Sequence, residues 1–154
     1  RPLKNISMKT LTTLLITFVL SRSVTAQSVN DTTAIKLLLE KESATWRQGD
    51  VEAHAACWQI RPYSKIWVST IDGKFIDVPL EAVVHPKKER MGGGGSSENS
   101  NYRFSIQGDA AWVSHDERSI STDGTISYSH EVRILEKVNG AWKLVAQFIH
   151  AYVP

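Results

Sequence analysis

The sequence predicts an α+β fold in which N-terminal helices pack on a curved antiparallel sheet. Apolar residues first recur at helical spacing and then, after Asn101, alternate with polar residues at the strand period of two. Gly-Asp, Asp-Gly and Asn-Gly pairs separate the later segments, and such pairs favour the tight turns that join neighbouring strands. Helices followed by a meander of strands are typical of the α+β class.

Residues 1–26 are expected to be a leader extension and a secretory signal peptide that is removed. Met8–Lys9 precedes an apolar run over 11–20, and small residues at 24–26 are typical of a cleavage site. The apolar run is too short to cross roughly 30 Å of hydrocarbon as a membrane helix. We therefore expect an exported protein, periplasmic or secreted, with a single domain at 27–154.

The charge of the chain depends strongly on that leader. The whole sequence carries 18 Lys and Arg against 16 Asp and Glu, but four of the basic residues and none of the acidic ones lie in 1–26. The remaining 14 basic and 16 acidic side chains give a net charge near −2. This balance removes the compositional argument for nucleic acid or an anionic membrane surface as a partner.

No motif in the chain indicates a cofactor or a metal. The histidines are scattered at 54, 85, 115, 130 and 150 without metal-ligand spacing. The glycines at 92–95 lack the Gly-Lys-Ser/Thr ending of a phosphate-binding loop, and no Gly-x-Ser-x-Gly nucleophile turn occurs. The single cysteine, Cys57, lies among alanines and Trp58, where a buried thiol with a raised pKa is expected.

Two helices are predicted before the strands. Asp31 and Thr32 can cap the first helix, which ends at Gly49 and carries apolar residues at helical spacing: Ile35, Leu38, Leu39 and Trp46. Glu42 falls on the apolar side of this helix, where it could hold a proton. Asp50 can cap a second, shorter helix whose core-facing stripe is Val51, His54, Ala55 and Trp58.

The remaining elements are mostly strands. A strand at 64–70, the Asp72-Gly73 turn, a strand at 74–78 and a helical turn through Val84 precede a flexible glycine-rich loop near 86–100. Further strands are predicted at 101–107, 110–118, 125–138 and 141–152.

Alternation predicts which side chains face the helices. Counting in twos along the last strand places one set on a single face: Trp142, Leu144, Ala146, Phe148, His150 and Tyr152. The set of matching character on the preceding strand is Ile126, Tyr128, His130, Val132 and Ile134. We predict that both sets lie on the inner face, which would give a pocket with an apolar floor and a polar mouth. The opposite face of the last strand offers Val145, Ile149 and Val153, so a homodimer through the outer sheet face is expected.

These features together resemble the NTF2-like superfamily of cone-shaped α+β folds. The matching segments are Gly49-Asp50 after the first helix, the stretch from Gly108 to Val113, and the strand from Gly140 to Tyr152. Within the superfamily the chain is similar to small secreted SnoaL-like or DUF4440-type bacterial proteins. The resemblance implies a ligand-binding cone and allows isomerase, cyclase or dehydratase activity, as well as binding or assembly without catalysis.

His130 and His150 are the main candidates for catalysis. Both lie on hairpin partners, and an imidazole can donate or accept a proton near neutral pH. Regular pairing places His130 opposite Ile149, and a bulge would change that register. Asp116 is the third candidate, because the resemblance to isomerases that use an aspartate allows it to act as the base or to orient a histidine. The inward phase of its strand stays open between His115 with Glu117 and Asp116 with Arg118.

Several further side chains are candidates for contact with a ligand. They are hydroxyl, imidazole and aromatic groups expected near the cone: Tyr63, His54, Trp58, Trp112, Tyr128, Phe148 and Tyr152. For each of them ordinary packing or a hydrogen bond at the rim of the pocket is the alternative.

The sequence therefore predicts an exported domain that binds a small, largely apolar molecule in its cone. Cofactor-independent proton transfer of the isomerase, cyclase or dehydratase type is one possible activity. The alternative is a binding or dimeric assembly module without turnover, and a third interpretation is accessory binding of polysaccharide or peptide. The sequence leaves open whether the protein is an enzyme.

Overall fold

The computed structural model of the protein describes residues 30–154. The predicted leader at 1–26 lies outside the described residues. The compact unit that carries the features below is Ile35–Pro154. Within the described part of the chain, no helix has the length and apolar character needed to cross a membrane.

The two predicted N-terminal helices are present, with one change at the start. Helix α1 covers residues 30–48 and ends at Gly49, whose φ is 75°, as predicted. Because residue 30 is already helical, Asp31 lies within the helix and the prediction that it caps the first turn is wrong. Asp50 caps helix α2, Val51–Ala55, as its side chain accepts a hydrogen bond of 2.9 Å from the backbone N–H of Ala53.

The remaining elements follow the predicted order. In chain order they are β1 (Ile66–Ser69), β2 (Phe75–Asp77), α3 (Leu80–Val84), a 3₁₀ turn (Lys88–Arg90), β3 (Ser96–Gln107), β4 (Ala110–Ile120), β5 (Ile126–Val138) and β6 (Ala141–Tyr152). The main difference is at β3, which begins at Ser96 rather than at Asn101. The glycine-rich loop is correspondingly shorter than the predicted 86–100.

The glycines of that loop are held against neighbouring backbone. The N–H groups of Gly92 and Gly94 donate to the carbonyls of Trp46 and Arg47 at 3.0 and 3.1 Å, so the loop satisfies acceptors at the C-terminal end of α1. At Gly95 a Cβ atom would lie 2.2 Å from the carbonyl oxygen of Ile120. Glycine at this position is therefore required by close backbone approach.

The strands form one curved, unclosed six-stranded sheet in the order β2-β1-β6-β5-β4-β3. All neighbouring pairs are antiparallel except β1 and β6, which are parallel. The helices pack on one face, here called the inner face, and the predicted α+β class is confirmed. Buried apolar residues from helices and strands form the core between them: Ile35, Leu39, Cys57, Trp58, Ile66, Val84, Ala111, Val113, Leu135, Trp142 and Leu144.

A β-bulge in β6 decides which side chains face inward. Ile134 pairs with Ala146 whereas Leu135 pairs with Leu144, so Val145 is an extra residue in the ladder. Leu144 before the bulge and Gln147 after it are both buried on the inner face. The prediction that Trp142 and Leu144 share a face with His150 is therefore wrong, because the bulge reverses the alternation between them.

The inner face of β5 is also the opposite of the predicted one. Glu131, Arg133 and Leu135 are buried toward the helices, while Ile126, Tyr128, His130, Val132 and Ile134 lie on the outer face. Leu135 is fully buried in the core and therefore determines the phase of this strand. The sequence left open which pair of β4 side chains faces inward. In the structure His115 and Glu117 lie on the inner side, and Asp116 and Arg118 lie on the outer side.

The environment of Cys57 agrees with the prediction. Its thiol is buried and lies 3.3 Å from the carbonyl oxygen of Ala53, to which it donates a weak hydrogen bond. Burial is the main cause of the raised pKa of this thiol, to which Glu42 adds. This environment disfavours the nucleophilic thiolate.

Candidate functional site

A cavity of about 510 Å³ lies on the inner face between α1 and the sheet. It is called the cone cavity below. Its apolar wall is formed mainly by Trp46, Ile66, Val68, Val78, Val83, Ile120 and Ile149. Its polar wall includes Glu42, Ser43, Arg47, Glu117, Ser119, Ser127, Glu131, Arg133 and Gln147.

Arg133 is the central cation of the cone cavity. Its Nη2 donates to Oε2 of Glu131, two residues along the same face of β5, and its Nη1 lies 3.7 Å from Oε2 of Glu42 on α1. Burial lowers the pKa of Arg133, but Glu131, Glu42 and Glu117 outweigh that effect and raise it. Burial acts to raise the pKa of Glu131, but the charge of Arg133 outweighs this effect, and the pKa is lowered. The pair is therefore ionised.

The pKa of Glu117 is shifted in the opposite direction from that of Glu131. Burial raises the pKa of Glu117, and the neighbouring charge of Glu131 raises it further. The carboxylate accepts hydrogen bonds from Ser119 Oγ at 2.6 Å and from Ser43 Oγ at 3.3 Å. Arg47 in turn donates to Ser43 Oγ at 2.7 Å. Glu117 is thus a buried carboxyl group with a raised pKa, fixed by serines, on the wall of a cavity.

Two buried side chains of the polar wall have atoms without partners. Among residues 30–154, Nε and Nη1 of Arg133 and Oε1 of Gln147 make no hydrogen bond. These residues lie directly opposite each other across β5 and β6, and both are more than nine-tenths buried. Buried polar groups are usually hydrogen-bonded, so the absence of partners indicates a place for an additional polar molecule.

His115 lies at the edge of this cluster as a neutral imidazole. Its ring is buried, 3.7 Å from Oε2 of Glu131 and 5.2 Å from the centre of the Tyr102 ring. Burial lowers the pKa of His115 to about 4, against the opposing effect of Glu131. Its two ring nitrogens have no hydrogen-bond partner within the described chain.

The predicted catalytic residues lie together, but on the outer face. Asp116 accepts hydrogen bonds from His130 Nδ1 at 2.5 Å and from Asn101 Nδ2 at 2.6 Å. His130 pairs with His150 across the ladder, with ring centres 6.4 Å apart, so the predicted proximity of the two histidines is confirmed. The prediction that they point into the cone is wrong, since both line a separate open cavity of about 720 Å³. It is called the outer cavity below.

Most of the predicted aromatic ligand contacts share that outer face. Tyr152 stacks on His130, with ring centres 4.3 Å apart, and its ring centre lies 5.9 Å from that of Tyr128. The ring centres of Phe148 and Trp67 are 5.2 Å apart. Trp112 is exposed on the same side of the sheet. These aromatic side chains were expected to line the cone, and the reversed phase of β5 and of the end of β6 places them outside it.

The other three predicted ligand contacts lie away from both cavities. Tyr63 is exposed and donates to Glu136, and Trp58 is buried in the core. His54 is fully buried, with its ring nitrogens 3.2 Å from the carbonyl oxygen of Glu42 and 2.8 Å from that of Val83. His54 therefore joins α1, α2 and α3, as expected from its place on the core-facing stripe.

Sequence reasoning missed Glu131, Arg133 and Gln147 as pocket residues. Their polarity on alternate positions is typical of a solvent-facing side, which is why they were assigned outward. One available signal was the apolar run Leu144–Val145–Ala146, which breaks alternation where the bulge occurs. No group of three or more potential metal ligands occurs in the described 30–154 region.

Comparison with solved structures defines the fold. An NTF2-like protein of unknown function from Shewanella baltica is 18% identical, with a TM-score of 0.59 over 82% of this chain and 97% of that chain. A proposed dehydratase of the NTF2-like family from Streptomyces avermitilis is 14% identical, with a TM-score of 0.65 over 82% and 99%. A proposed scytalone dehydratase from Novosphingobium aromaticivorans is 18% identical, with a TM-score of 0.61 over 84% and 89%.

The chain therefore has the NTF2-like fold, as the sequence resemblance implied. No protein-family model matches the sequence, and no curated protein matches it. At these identities the similarity defines the fold, and the function has to be argued from the site.

Proposed function

We propose that the cone cavity binds a small molecule and catalyses cofactor-independent proton transfer. Glu117 takes a proton from a carbon next to a carbonyl group and returns it elsewhere. Arg133 stabilises the negative charge that develops on the carbonyl oxygen. The observation that carries this proposal is the presence of a buried carboxyl group of raised pKa and unpartnered guanidinium atoms on the same polar wall.

The environment of Glu117 suits a general base. A carboxyl group is most effective when its pKa approaches the working pH, and burial beside Glu131 raises that of Glu117. The serine hydroxyl groups of Ser43 and Ser119 hold the carboxyl in one orientation. Asp116, the carboxylate that the sequence suggested as the base, is on the outer face, where its pKa is lowered by Asn101 and His130.

The other wall of the cavity suits an apolar ring. Trp46, Ile66, Val68 and Val83 also line the cone cavity. A ligand with an apolar body and one carbonyl group would match both walls. The fold neighbours include two proposed dehydratases. Export to the periplasm or medium remains part of the proposal.

The test is the exchange of α-protons for deuterium in 2-tetralone, a bicyclic ketone, followed by ¹H NMR in D₂O. We expect the protein to accelerate exchange above the buffer rate. The Glu117→Gln variant is expected to lose on the order of 100-fold of that acceleration, because general base catalysis is typically of this size.

Glu98→Gln is the matched control, because Glu98 is an exposed carboxylate on β3. It is expected to exchange at the wild-type rate. Equal rates for wild type and Glu117→Gln, with both proteins folded by circular dichroism, would exclude Glu117 as the base.

The second candidate is a homodimer through the outer face. It does not rest on the apolar set predicted from the last strand, because Val145 is fully buried and Ile149 lines the cone cavity. It is supported by exposed aromatic side chains on this face. The ring centres of Phe75 and Trp67 are 5.6 Å apart, and Trp112 is also exposed. Apolar side chains grouped on an open sheet face are typical of protein contacts. Sedimentation should show a dimer for the wild type and a monomer for Trp67→Glu, with Leu37→Glu on α1 as the exposed apolar control.

The catalytic role of His130, His150 and Asp116 remains a prediction. Any such role belongs to the outer cavity and is separate from proton transfer in the cone. Exchange of 2-tetralone that persists in Glu117→Gln and disappears in His130→Ala would favour the outer cavity instead.

A further inference from the structure

We infer that the cone cavity recognises a ligand edge in which a carbonyl oxygen lies beside an N–H group. This is the edge of a neutral cyclic amide, such as a lactam. The inference rests on the proposed function in placing the ligand in the cone, and it adds the chemical class of that ligand. The residues that carry it are Arg133 and Gln147.

These two side chains form an adjacent donor and acceptor. Arg133 and Gln147 are direct partners in the antiparallel ladder, so their Cβ atoms are about 5 Å apart on the same face. Both residues line the cone cavity. Within residues 30–154, Nε and Nη1 of Arg133 are donors without an acceptor, and Oε1 of Gln147 is an acceptor without a donor.

Leaving these atoms unpaired is unfavourable. A buried polar atom without a hydrogen bond destabilises the folded protein, and the effect is larger for a charged group. Glu131 satisfies only Nη2 of Arg133, and Glu42 approaches Nη1 at 3.7 Å, which is too long for a hydrogen bond. The carboxylates therefore balance the charge of Arg133 while leaving part of its donor capacity for a ligand.

The complementary ligand is neutral and has its own donor. A carboxylate could accept from Arg133, but it would then oppose Glu131 and Glu42, and it offers no hydrogen to Gln147. A hydroxyl group beside a carbonyl often bonds back to that carbonyl. The N–H of a lactam is parallel to its C=O and cannot do so, so it stays available to Gln147.

The probes are 2-quinolinone, which has this edge on an aromatic bicycle, and 1-methyl-2-quinolinone, in which the N–H is replaced. Isothermal titration of the whole protein compares their affinities. We expect the wild type to bind 2-quinolinone about tenfold more tightly, which corresponds to one hydrogen bond. Gln147→Met keeps the length of the side chain and removes the acceptor, so the ratio of the two affinities should fall to about one.

Gln107→Met is the control, because Gln107 is exposed at the end of β3. It is expected to keep the wild-type ratio. A steric effect of the N-methyl group would persist in Gln147→Met, so a ratio that is unchanged there overturns the inference. Equal affinities of the two probes for the wild type, or no saturable binding of either, also overturn it, and this comparison does not require a variant to fold.

The outcome is distinguishable from that of the proposed function. 2-Tetralone has a carbonyl group but no N–H, so its exchange does not depend on Gln147. Glu117-dependent exchange without a preference for 2-quinolinone would overturn only the lactam edge. A preference for 2-quinolinone without exchange would support the edge and contradict only the proton transfer.

Discussion

Asp116 and Glu117 are adjacent in sequence and point to opposite faces of β4. Asp116 lies on the outer face, where Asn101 and His130 lower its pKa. Glu117 lies on the wall of the cone cavity, where burial and Glu131 raise its pKa. Two neighbouring carboxyl groups thus have pKa values moved in opposite directions by their environments, an arrangement typical of sites that use proton transfer.

Replacing Glu117 is expected to stabilise the protein at neutral pH. Because the pKa of Glu117 is raised above 4.5 in the folded state, burial of its charged form opposes folding as the pH rises through the folded pKa. Urea unfolding of Glu117→Gln should therefore show a gain over the wild type that grows with pH. The gain in stability should disappear below about pH 4, where the wild-type glutamate is protonated and therefore as neutral as the glutamine that replaces it.

A constant difference between Glu117→Gln and wild type across that range would contradict the raised pKa. Glu98→Gln, which changes an exposed carboxylate, serves as the comparison for effects of charge alone. A gain in stability combined with loss of exchange in Glu117→Gln would be typical of a residue retained for function.

The lowered pKa of Asp116 should depend more on Asn101 than on His130. The hydrogen bond from Asn101 is the largest cause of the shift, and the one from His130 is the second. We expect Asn101→Ala to raise the pKa of Asp116 more than His130→Ala does, as measured by ¹³C NMR of the labelled carboxyl group. A larger effect of His130→Ala would reverse the assigned order of these two contacts.

His115 should make the protein less stable in mild acid. The unfolded histidine has a pKa near 6.5 and the folded one about 4, so between these values only the unfolded chain binds the proton. Stability is therefore lost as the pH falls from about 6.5 to about 4, by at most about 3 kcal/mol.

His115→Phe replaces the ring without the titrating group. The unfolding free energy of this variant, measured by urea at several pH values, should fall less than that of the wild type over the same range. Identical pH dependence in the two proteins would mean that His115 is not the group responsible.

Gly95 is expected to be far less tolerant of substitution than Gly93. Its φ is +79°, and an added Cβ would lie 2.2 Å from the carbonyl oxygen of Ile120, whereas at Gly93 nothing lies within 4 Å. Gly95→Ala should cost about 2 kcal/mol or more, because both strain and overlap oppose it. Gly93→Ala should be within about 0.5 kcal/mol of wild type by thermal unfolding, and similar losses at both positions would contradict the close approach.

The elements of the fold could be predicted because local signals agree with them. Asp50 caps α2, Gly49 ends α1, and Asn139-Gly140 joins β5 to β6. The start of β3 could not be predicted in the same way. Its first residues, Ser96 to Ser100, are polar, and their strand conformation comes from pairing with residues 116–120 of β4 rather than from their own propensity.

The candidate site was harder to predict because it depends on a one-residue irregularity. The extra residue Val145 reverses the alternation of β6, and with it the face assigned to His150 and Gln147. Glu131 and Arg133 satisfy each other's charge inside the cone, so their polarity is a misleading guide to exposure. Periodicity alone cannot distinguish such a buried pair from a solvent-facing strand.

The most direct test of the central claim is an NMR titration of the isotope-labelled protein with 2-tetralone, which shows the face on which a ligand binds. Binding in the cone cavity predicts shifts in the methyl groups of Val68 and Val83 and little change in the outer-face groups of Trp67 and Val132. Shifts confined to Trp67 and Val132 would place the ligand in the outer cavity and contradict the proposed site.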